Sequence, residues 1–422
     1  MEYKEVVQAI EGKRRFGHET GVEVSSKMLQ VFHHPLADMP WIHIAGTNGK
    51  GSVSAFLCRI LQEAGLRVGM FTSPHLVDFR ERIRVNGAYI TKEAAARIGG
   101  ELLRRDYAVN PTMFDYCMMM AVLYFREQNC DVAVMETGLG GRLDSTNALG
   151  VPDVTVITRI GYDHMEILGD SLELIAAEKA AVIKPGTTVV LAPQQPEAAR
   201  VCEEAAGRAA AAVRRVEERE IVEEGFDGER QYFSYRNYRH LSMGLLGAYQ
   251  FENAAAAVAA AEAFCAKRGR PLGSGIVEKG IAKAVWPGRM QVLRRAPFFM
   301  VDGAHNADGA KALKQGLIYL FPGEKFHFLM GVMADKEYVE MVDTLAPLAL
   351  DFGTVTVDSE RALQAKQLAA CISARGIGAV CHDTVEAALD WVSGAGADKS
   401  IAFGSLYFIG AIEALFGSNY VD

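Results

Sequence analysis

The chain has 422 residues, of which 50% are hydrophobic and 23% are charged, as in ordinary globular proteins, and this length predicts two or three domains. The formal net charge of −8 and the lack of a long basic run argue against nucleic-acid binding. No apolar run is as long as a membrane span, the N-terminus does not resemble a signal peptide, and the seven cysteines are scattered. We therefore expect a cytoplasmic protein with reduced thiols and no membrane partner.

The most informative stretch is residues 41–52, WIHIAGTNGKGS. Its first four residues are typical of a buried strand, three glycines then interrupt the chain, and from Val53 onward apolar residues recur at helical spacing. Strand, glycine loop and helix, in this order, favour a phosphate-binding loop, because backbone N–H groups and the helix N-terminus both attract an anion.

Within that loop, Lys50 would pair with the β- and γ-phosphates of a nucleotide, and the Ser52 hydroxyl would bind Mg²⁺. The spacing is shorter than in the common P-loop, since Ile44 stands where the first glycine would be. The alternative is a glycine turn with a surface lysine.

Polar residues follow several predicted strands of the N-terminal half. Ser73 follows a strand at 67–72, Glu136 ends a strand at 131–136, and His164 lies beyond a strand at 154–158. Ligands bind at the carboxyl ends of strands in open α/β sheets, and a carboxylate beside a glycine-rich loop is a common magnesium ligand. The alternatives are a turn serine, an exposed glutamate and a surface histidine.

Two helices carry further candidates. Residues 111–128 predict a helix in which Thr112 is the N-cap and Asp115 completes a capping box, which is a structural role for both residues. Residues 171–183 predict a second helix, and the residues alone favour a solvated Lys179.

The second half of the chain predicts a second α/β series. An alanine-rich helix begins near Asn253, which could be a cap or a ligand to a base, and a break at Trp286–Arg289 suggests a boundary between domains 1–287 and 288–422. Beyond it we predict a mostly parallel sheet with strands at 298–301, 326–330, 354–357, 379–381 and 401–403.

The chain carries a series of short motifs in a fixed order: GTNGKGS (46–52), TSPH (72–75), GLGGRLD (138–144), WPGR (286–289), DGAHN (302–306) and GSLY (404–407). Their joint order resembles the folylpolyglutamate synthase/dihydrofolate synthase branch of the Mur ligase superfamily. It implies an N-terminal P-loop-type ATPase domain with a mostly parallel sheet and a smaller C-terminal Rossmann-like α/β domain.

The resemblance also implies an activity. The family ligates L-glutamate, with ATP and Mg²⁺, to the carboxylate of folate or dihydropteroate through an acyl phosphate, and we expect this protein to do so as a monomer. One domain would hold ATP, and the other would bring in glutamate and exclude water.

Carried over position by position, the resemblance implies four groups of site residues. The ATP contacts would be Thr47, Asn48, Gly49, Lys50, Gly51, Ser52, Asn253, Arg289, Asp302 and His305. The magnesium ligands would be Ser52, Ser73, Glu136 and His164. The pterin site would include Phe114, Asp115, Leu143, Asp144 and Ser145. The catalytic group would be Lys50, Glu136, His164 and Lys179, with Lys179 carbamylated.

The chain departs from the family pattern at three places: Asp115 replaces a usual glutamate, Tyr249 a common histidine, and Glu360 a frequent proline. Only Asp115 lies in the implied pterin site, so the departures concern substrate preference. Two other functions stay open at this stage: a Mur-type amide ligase acting on a cell-wall peptide precursor, and a nucleotide-binding regulatory module without ligase chemistry.

Overall fold

The computed structural model describes residues 1–13, 21–394 and 399–417. Its contacts divide the chain into two compact units. The first contains Met1–Gly225, Tyr232–Met243 and Phe251–Val285, and the second contains Phe226–Gln231, Gly244–Gln250 and the chain from Trp286 onward. The second unit therefore takes two short segments from a part of the chain that precedes residue 287.

The helices and strands alternate through most of the chain. Up to residue 285 they are α1 (Tyr3–Glu11), α2 (Gly21–Val31), β1 (Trp41–Ala45), α3 (Lys50–Glu63), β2 (Val68–Phe71), β3 (Ile83–Val85), β4 (Ala88–Tyr89), α4 (Lys92–Arg104), α5 (Met113–Glu127), β5 (Val132–Glu136), β6 (Val154–Ile157), α6 (Met165–Leu168), α7 (Leu172–Ala180), β7 (Thr188–Leu191), α8 (Pro196–Arg208), β8 (Ala212–Arg215), β9 (Ile221–Phe226), β10 (Gln231–Tyr235), β11 (Tyr238–Met243), α9 (Tyr249–Ala266) and α10 (Ser274–Lys283). From residue 286 they are β12 (Gln291–Arg295), β13 (Phe298–Val301), α11 (Ala307–Leu320), β14 (Phe326–Met330), α12 (Tyr338–Leu345), β15 (Ala349–Val355), α13 (Ala365–Ser373), β16 (Gly378–His382), α14 (Val385–Gly394), β17 (Lys399–Phe403) and α15 (Leu406–Phe416).

An eight-stranded sheet, in the order β4-β3-β2-β5-β1-β6-β7-β8, organises the first unit. β1 pairs in parallel with β5 on one side and with β6 on the other, and only β3 and β4 run antiparallel to their neighbours. All five residues of β1 and of β5 are buried, as expected for strands covered on both faces. The loops after β1, β2, β5 and β6 therefore meet at one edge of the sheet, where ligands bind in folds of this kind.

The predicted elements of the first unit are confirmed at the positions that matter for that edge. The strands before Gly46, Ser73, Glu136 and Asp163 are present, and the predicted capping box forms at the start of α5, where Thr112 and Asp115 bond reciprocally. Between β3 and β4, residues 86–87 form an Asn-Gly turn, with φ of 49° and 85°.

A six-stranded sheet, in the order β12-β13-β17-β14-β15-β16, organises the second unit, and all its pairings are parallel except β12 with β13. Two of its predicted strands, β13 and β14, have the expected bounds. The prediction for 354–357 is wrong in its bounds, since β15 begins at Ala349. Asp351 and Gly353 lower the β-propensity of that segment, and Gly353 is there because the Trp391 ring packs directly against it.

The strand β12, which forms an antiparallel hairpin with β13, was not predicted.

Within the described residues, none of the helices is long and apolar enough to cross a membrane.

Candidate functional site

The loop after β1 has the backbone that the glycine pattern predicts. Gly46 has φ of 149° and Gly49 has φ of 89°, values that favour glycine. A Cβ at Gly46 would lie 1.9 Å from Thr158 Oγ1, and one at Gly49 would lie 2.3 Å from Asn253 Oδ1. Side chains at either position would therefore push the loop away from its neighbours.

The first half of this loop is fastened to the segment that follows β6. The amides of Thr47 and Asn48 both donate to the carbonyl of Arg159, at 3.0 and 3.2 Å, and Thr158 Oγ1 donates to the carbonyl of Asn48 at 2.7 Å. The backbone N–H groups of Thr47 and Asn48 therefore position the loop, and the phosphate contacts expected of these two residues stay a prediction.

The second half of the loop forms the beginning of α3. Lys50, Gly51 and Ser52 occupy the first turn, where N–H groups point out of the helix and the helix dipole favours an anion. A phosphate site in this loop therefore depends chiefly on residues 49–52.

Two lysine ammonium groups converge on one carbonyl of the loop. Lys50 Nζ donates to Gly46 O at 3.1 Å and to Thr47 O at 3.2 Å, and Lys179 Nζ donates to Gly46 O at 2.9 Å. Lys179 is only 4% exposed. Burial, and then the neighbouring Lys50 ammonium, lower the pKa of Lys179 to about 7, with Asp163 and Asp144 acting in the opposite direction.

The helical spacing of α7 contains the signal that Lys179 is buried. The buried residues of this helix are Leu172, Ile175, Ala176, Lys179 and Ala180, which fall on one face at intervals of three and four. The interpretation of Lys179 as a solvated side chain is therefore wrong.

Three of the four predicted magnesium ligands lie at or beyond the ends of β2, β5 and β6, and the fourth, Ser52, lies in the first turn of α3. Glu136 is 4% exposed, and its Oε2 lies 3.4 Å from the backbone nitrogen of Ser73, so these two residues are neighbours. His164 is exposed, has φ of 52°, and donates its backbone N–H to Asp163 Oδ1 at 2.9 Å. Asp163 was not among the predicted site residues, although it directly precedes one.

The residue types at this edge fit a magnesium ion that also binds nucleotide oxygens. Glu136, Ser52 and Ser73 supply oxygen, which Mg²⁺ prefers, whereas the His164 imidazole is a softer donor. Among the described residues, no three His, Cys, Asp or Glu side chains cluster closely enough to form a metal site by themselves. A magnesium ion here would therefore depend on phosphate and water oxygens as well.

The residues predicted to contact a pterin divide into two groups. The Phe114 ring is half-buried, packs against Gly138 and lies 5.5 Å from the Phe71 ring, and the Leu143 side chain is 54% exposed. These two side chains can offer apolar contact to a flat ring.

Asp115, Asp144 and Ser145 instead point into the protein. Asp115 accepts hydrogen bonds from Ser25 and Ser145 at 2.7 Å each on Oδ1, and from the amide and hydroxyl of Thr112 on Oδ2. The predicted capping role of Asp115 is thus confirmed, and any influence on substrate passes through Ser145 and its neighbours.

The second unit holds its own polar cluster at the end of β13. Asp302 is buried and accepts hydrogen bonds from the amides of Met290 and Ala304, at 2.8 Å each, and from the Tyr249 hydroxyl at 3.3 Å. Burial raises the pKa of Asp302, while the Arg289 guanidinium, which packs against Gly303, acts to lower it.

His305 lies beside this cluster, and its Nδ1 donates to Gly303 O at 2.8 Å, so Nδ1 carries a proton. Tyr249 departs from the family pattern, and no sequence pattern predicts its bond to Asp302, which lies 53 residues further along the chain.

Family models match both halves of the chain. The Mur ligase middle domain matches residues 44–261, and the Mur ligase glutamate ligase domain matches residues 288–405. Among characterised proteins, the dihydrofolate synthase/folylpolyglutamate synthase of Bacillus subtilis is 36% identical over 87% of this chain and 88% of its own length.

The chain belongs to the folylpolyglutamate synthase/dihydrofolate synthase family of Mur ligases.

Other members of this family agree with the assignment. The folylpolyglutamate synthase of Lacticaseibacillus casei is 32% identical over 82% of the chain and 83% of its own length. Among solved structures, Mycobacterium tuberculosis folylpolyglutamate synthase complexed with ADP matches with a TM-score of 0.90 at 30% identity, covering 99% of this chain and 98% of that one. A folylpolyglutamate synthase complex with AMPPCP and folate matches with a TM-score of 0.85 at 30% identity, covering 98% and 99%.

The predicted family and fold class are therefore confirmed.

Proposed function

We propose that this protein ligates L-glutamate to the carboxylate of folate or dihydropteroate, using ATP, through an acyl-phosphate intermediate. The observation that carries the proposal is the convergence of Lys50 and buried Lys179 on the carbonyl of Gly46, in a glycine loop that follows the central strand of a parallel sheet. The names of its relatives and the nucleotide and folate complexes of its structural neighbours favour this ligase over one that acts on a cell-wall peptide.

The chemistry needs activation because a carboxylate is a poor electrophile. The γ-phosphoryl group passes to a carboxylate oxygen of the pterin substrate, and the bond to ADP breaks. The glutamate amine then attacks the acyl carbon, phosphate leaves, and the amine loses a proton. Lys50 and the first-turn amides of α3 stabilise the negative charge that spreads over the transferring group.

We assign the magnesium ligands as Ser52, Ser73, Glu136 and His164. When bound, Mg²⁺ would neutralise phosphate charge and polarise the phosphoryl oxygens. Carbamylated Lys179 would add a carboxylate to the same region.

The remaining assignments follow the family. Thr47–Ser52, Asn253, Arg289, Asp302 and His305 would contact ATP, and Phe114, Asp115 and the segment 143–145 would form the pterin site. Residues 1–287 would bind ATP and 288–422 would bring in glutamate. We also propose a cytoplasmic monomer without nucleic-acid or membrane partners. The negative net charge supports the absence of a nucleic-acid partner, and the scattered cysteines support a reducing compartment.

A substrate panel tests the proposal. Purified protein is given ATP, Mg²⁺ and L-glutamate with dihydropteroate, with tetrahydrofolate, or with a UDP-linked muramoyl peptide, and ADP release and amide product are measured. We expect product with at least one pterin. Turnover with the muramoyl acceptor alone would support the cell-wall ligase instead, and ATP hydrolysis without any amide product would contradict ligation.

The metal assignment predicts that Glu136→Gln and His164→Ala each shift the magnesium dependence of turnover to higher concentration, by about tenfold or more for Glu136→Gln. Glutamine keeps the shape of glutamate but removes the charge that a hard cation needs. The measurement is initial rate against Mg²⁺ at saturating ATP. Glu127→Gln, which removes a carboxylate from a surface ion pair with Arg97, is the matched control and should leave the curve unchanged. Wild-type magnesium curves for both site variants would refute the assignment.

A further inference from the structure

A network of three buried polar side chains, those of His43, Thr146 and Asp144, connects β1 with the segment 143–145 of the proposed pterin site. His43, in the middle of β1, has its Nε2 2.8 Å from Thr146 Oγ1, and Thr146 Oγ1 lies 2.5 Å from Asp144 Oδ1. His43 and Thr146 are fully buried. β1 is the strand that leads directly into the glycine loop 46–52, so His43 connects this network to the nucleotide side of the site.

The direction of each hydrogen bond can be assigned. The Thr146 hydroxyl has one proton, which it donates to Asp144 Oδ1, so its oxygen accepts the bond from His43 Nε2. Burial lowers the pKa of His43 to about 3, so the imidazole is neutral and carries its single proton on Nε2. Its Nδ1 is buried without a hydrogen-bond partner in the described part of the chain. Among the described residues, the bond to Thr146 is therefore the one polar contact that accounts for a histidine here.

At the other end of this network, Asp144 accepts hydrogen bonds from the loop after β5. Asp144 Oδ2 accepts from the amides of Gly138 and Leu139, at 2.8 and 2.9 Å, and Oδ1 also accepts from the amide of Thr146 at 3.0 Å. Both carboxylate oxygens thus accept hydrogen bonds from the protein itself. Two of these bonds join Asp144, at the end of the loop 138–144, to the first two residues of the same loop.

Consecutive residues fasten this segment to separate elements. Asp144 holds the start of its own loop, Ser145 donates to Asp115 at the start of α5, and Thr146 accepts from β1. On the other side of the loop, the amide of Arg142 donates to Glu178 O of α7 at 2.9 Å. Leu143, between these anchors, is left exposed.

We propose that His43 and Thr146 are positioning residues for the pterin substrate: their hydrogen bond fixes the segment 143–145 to the strand that carries the ATP loop. This inference rests on the proposed function for the identity of the substrate. An apolar pair would fill the same space without a buried unpaired nitrogen, but it would not specify where residues 143–145 lie.

Hydrogen exchange tests the positioning without any substrate. Thr146→Val keeps the shape of threonine but removes the hydroxyl from the middle of the network. We expect the amides of Gly138 and Leu139 to exchange about tenfold faster or more in this variant, because the hydroxyl makes two hydrogen bonds, one of them to the Asp144 carboxylate that holds these amides. Thr155→Val is the matched control, because Thr155 of β6 is equally buried and its hydroxyl lies 3.0 Å from the hydroxyl of Thr187, which directly precedes β7. Unchanged exchange at residues 138–139 in Thr146→Val would overturn the proposal, whether or not the protein is a folate ligase.

Steady-state kinetics then test which substrate is positioned. In Thr146→Val and His43→Leu we expect KM for the pterin to rise about tenfold, while KM for ATP stays within about twofold. Thr146→Ser and His43→Gln, which keep a hydroxyl and an N–H donor, should recover most of the loss. If Thr146→Val and Thr155→Val lose the same Tm and the pterin KM is unchanged, the network of His43, Thr146 and Asp144 has only a structural role and the proposal is wrong. A rise in the KM for ATP alone would also contradict the proposal. Failure of the wild-type protein to use any pterin would refute the proposed function and leave the exchange result to decide the positioning.

Discussion

Replacing Lys50 by alanine is expected to lower turnover about 10²- to 10³-fold while leaving the fold intact. Lys50 stands at the first position of α3, and its ammonium group already reaches back over the loop to the carbonyls of Gly46 and Thr47. A nucleotide phosphate at the helix N-terminus would attract the same ammonium group. Alanine keeps the helix, since it has the highest helix propensity, but removes the charge that stabilises the transferring phosphoryl group.

The measurement is kcat at saturating ATP and pterin, with circular dichroism to check the fold. Lys283→Ala is the control, because Lys283 is a half-exposed lysine in a surface ion pair with Glu63, and its loss should not change kcat. If Lys50→Ala turns over like the wild type at saturating ATP, the interpretation of residues 46–52 as a phosphate-binding loop is wrong.

The elements that build the site could be predicted because their patterns are local. β1, β5 and β6 are short apolar runs that end in glycine or polar residues, and α5 begins with a capping box that involves residues only three apart. The glycine loop could be predicted in the same way, because Gly46 and Gly49 stand where the backbone takes conformations that other residues rarely adopt.

The directions of polar side chains in the glycine-rich loop could not be predicted. The resemblance places Asp115 and Asp144 in the pterin site, but apart from the capping box of Asp115 it does not indicate their partners, which are Ser25, Ser145 and Thr146, together with backbone amides. Ser25 lies 90 residues from Asp115, and no spacing rule connects the two. For the same reason, the bonds of Thr47 and Asn48 to Arg159 appear only once β1 and β6 are known to be neighbours.

Lys179→Ala is expected to be almost inactive yet folded. The Lys179 side chain is buried beside the phosphate loop, and its neutral amine can attack CO₂: a C–N bond forms, a proton leaves, and the product is a carbamate anion. We expect partial recovery of turnover when short carboxylic acids are added to the variant, because they can supply the missing carboxylate. Lys267→Ala is the matched control, since Lys267 also donates to two backbone carbonyls, those of Asp153 and Gly186, and should be needed only for structure. Full activity of Lys179→Ala would refute the role.

The same burial predicts how stability depends on pH. The pKa of Lys179 is about 7 in the folded protein, below its ordinary value of 10.5, because burial and the Lys50 ammonium disfavour the charged amine. Between these two pH values the unfolded chain binds a proton that the folded chain does not, so stability rises with pH, by up to about 1.4 kcal/mol per pH unit from this group.

Lys179→Met removes that titration while keeping a side chain of similar length. In CO₂-free buffer, urea unfolding at pH 7 and pH 9 should show the free energy of unfolding of the wild type rising relative to that of Lys179→Met, and the difference between the two proteins should change little below about pH 7, where Lys179 is protonated in both states. A difference that stays constant from pH 7 to pH 9 would mean that Lys179 titrates like a solvated lysine. In that case its amine would be protonated at neutral pH, and CO₂ capture at this position would lose its chemical basis.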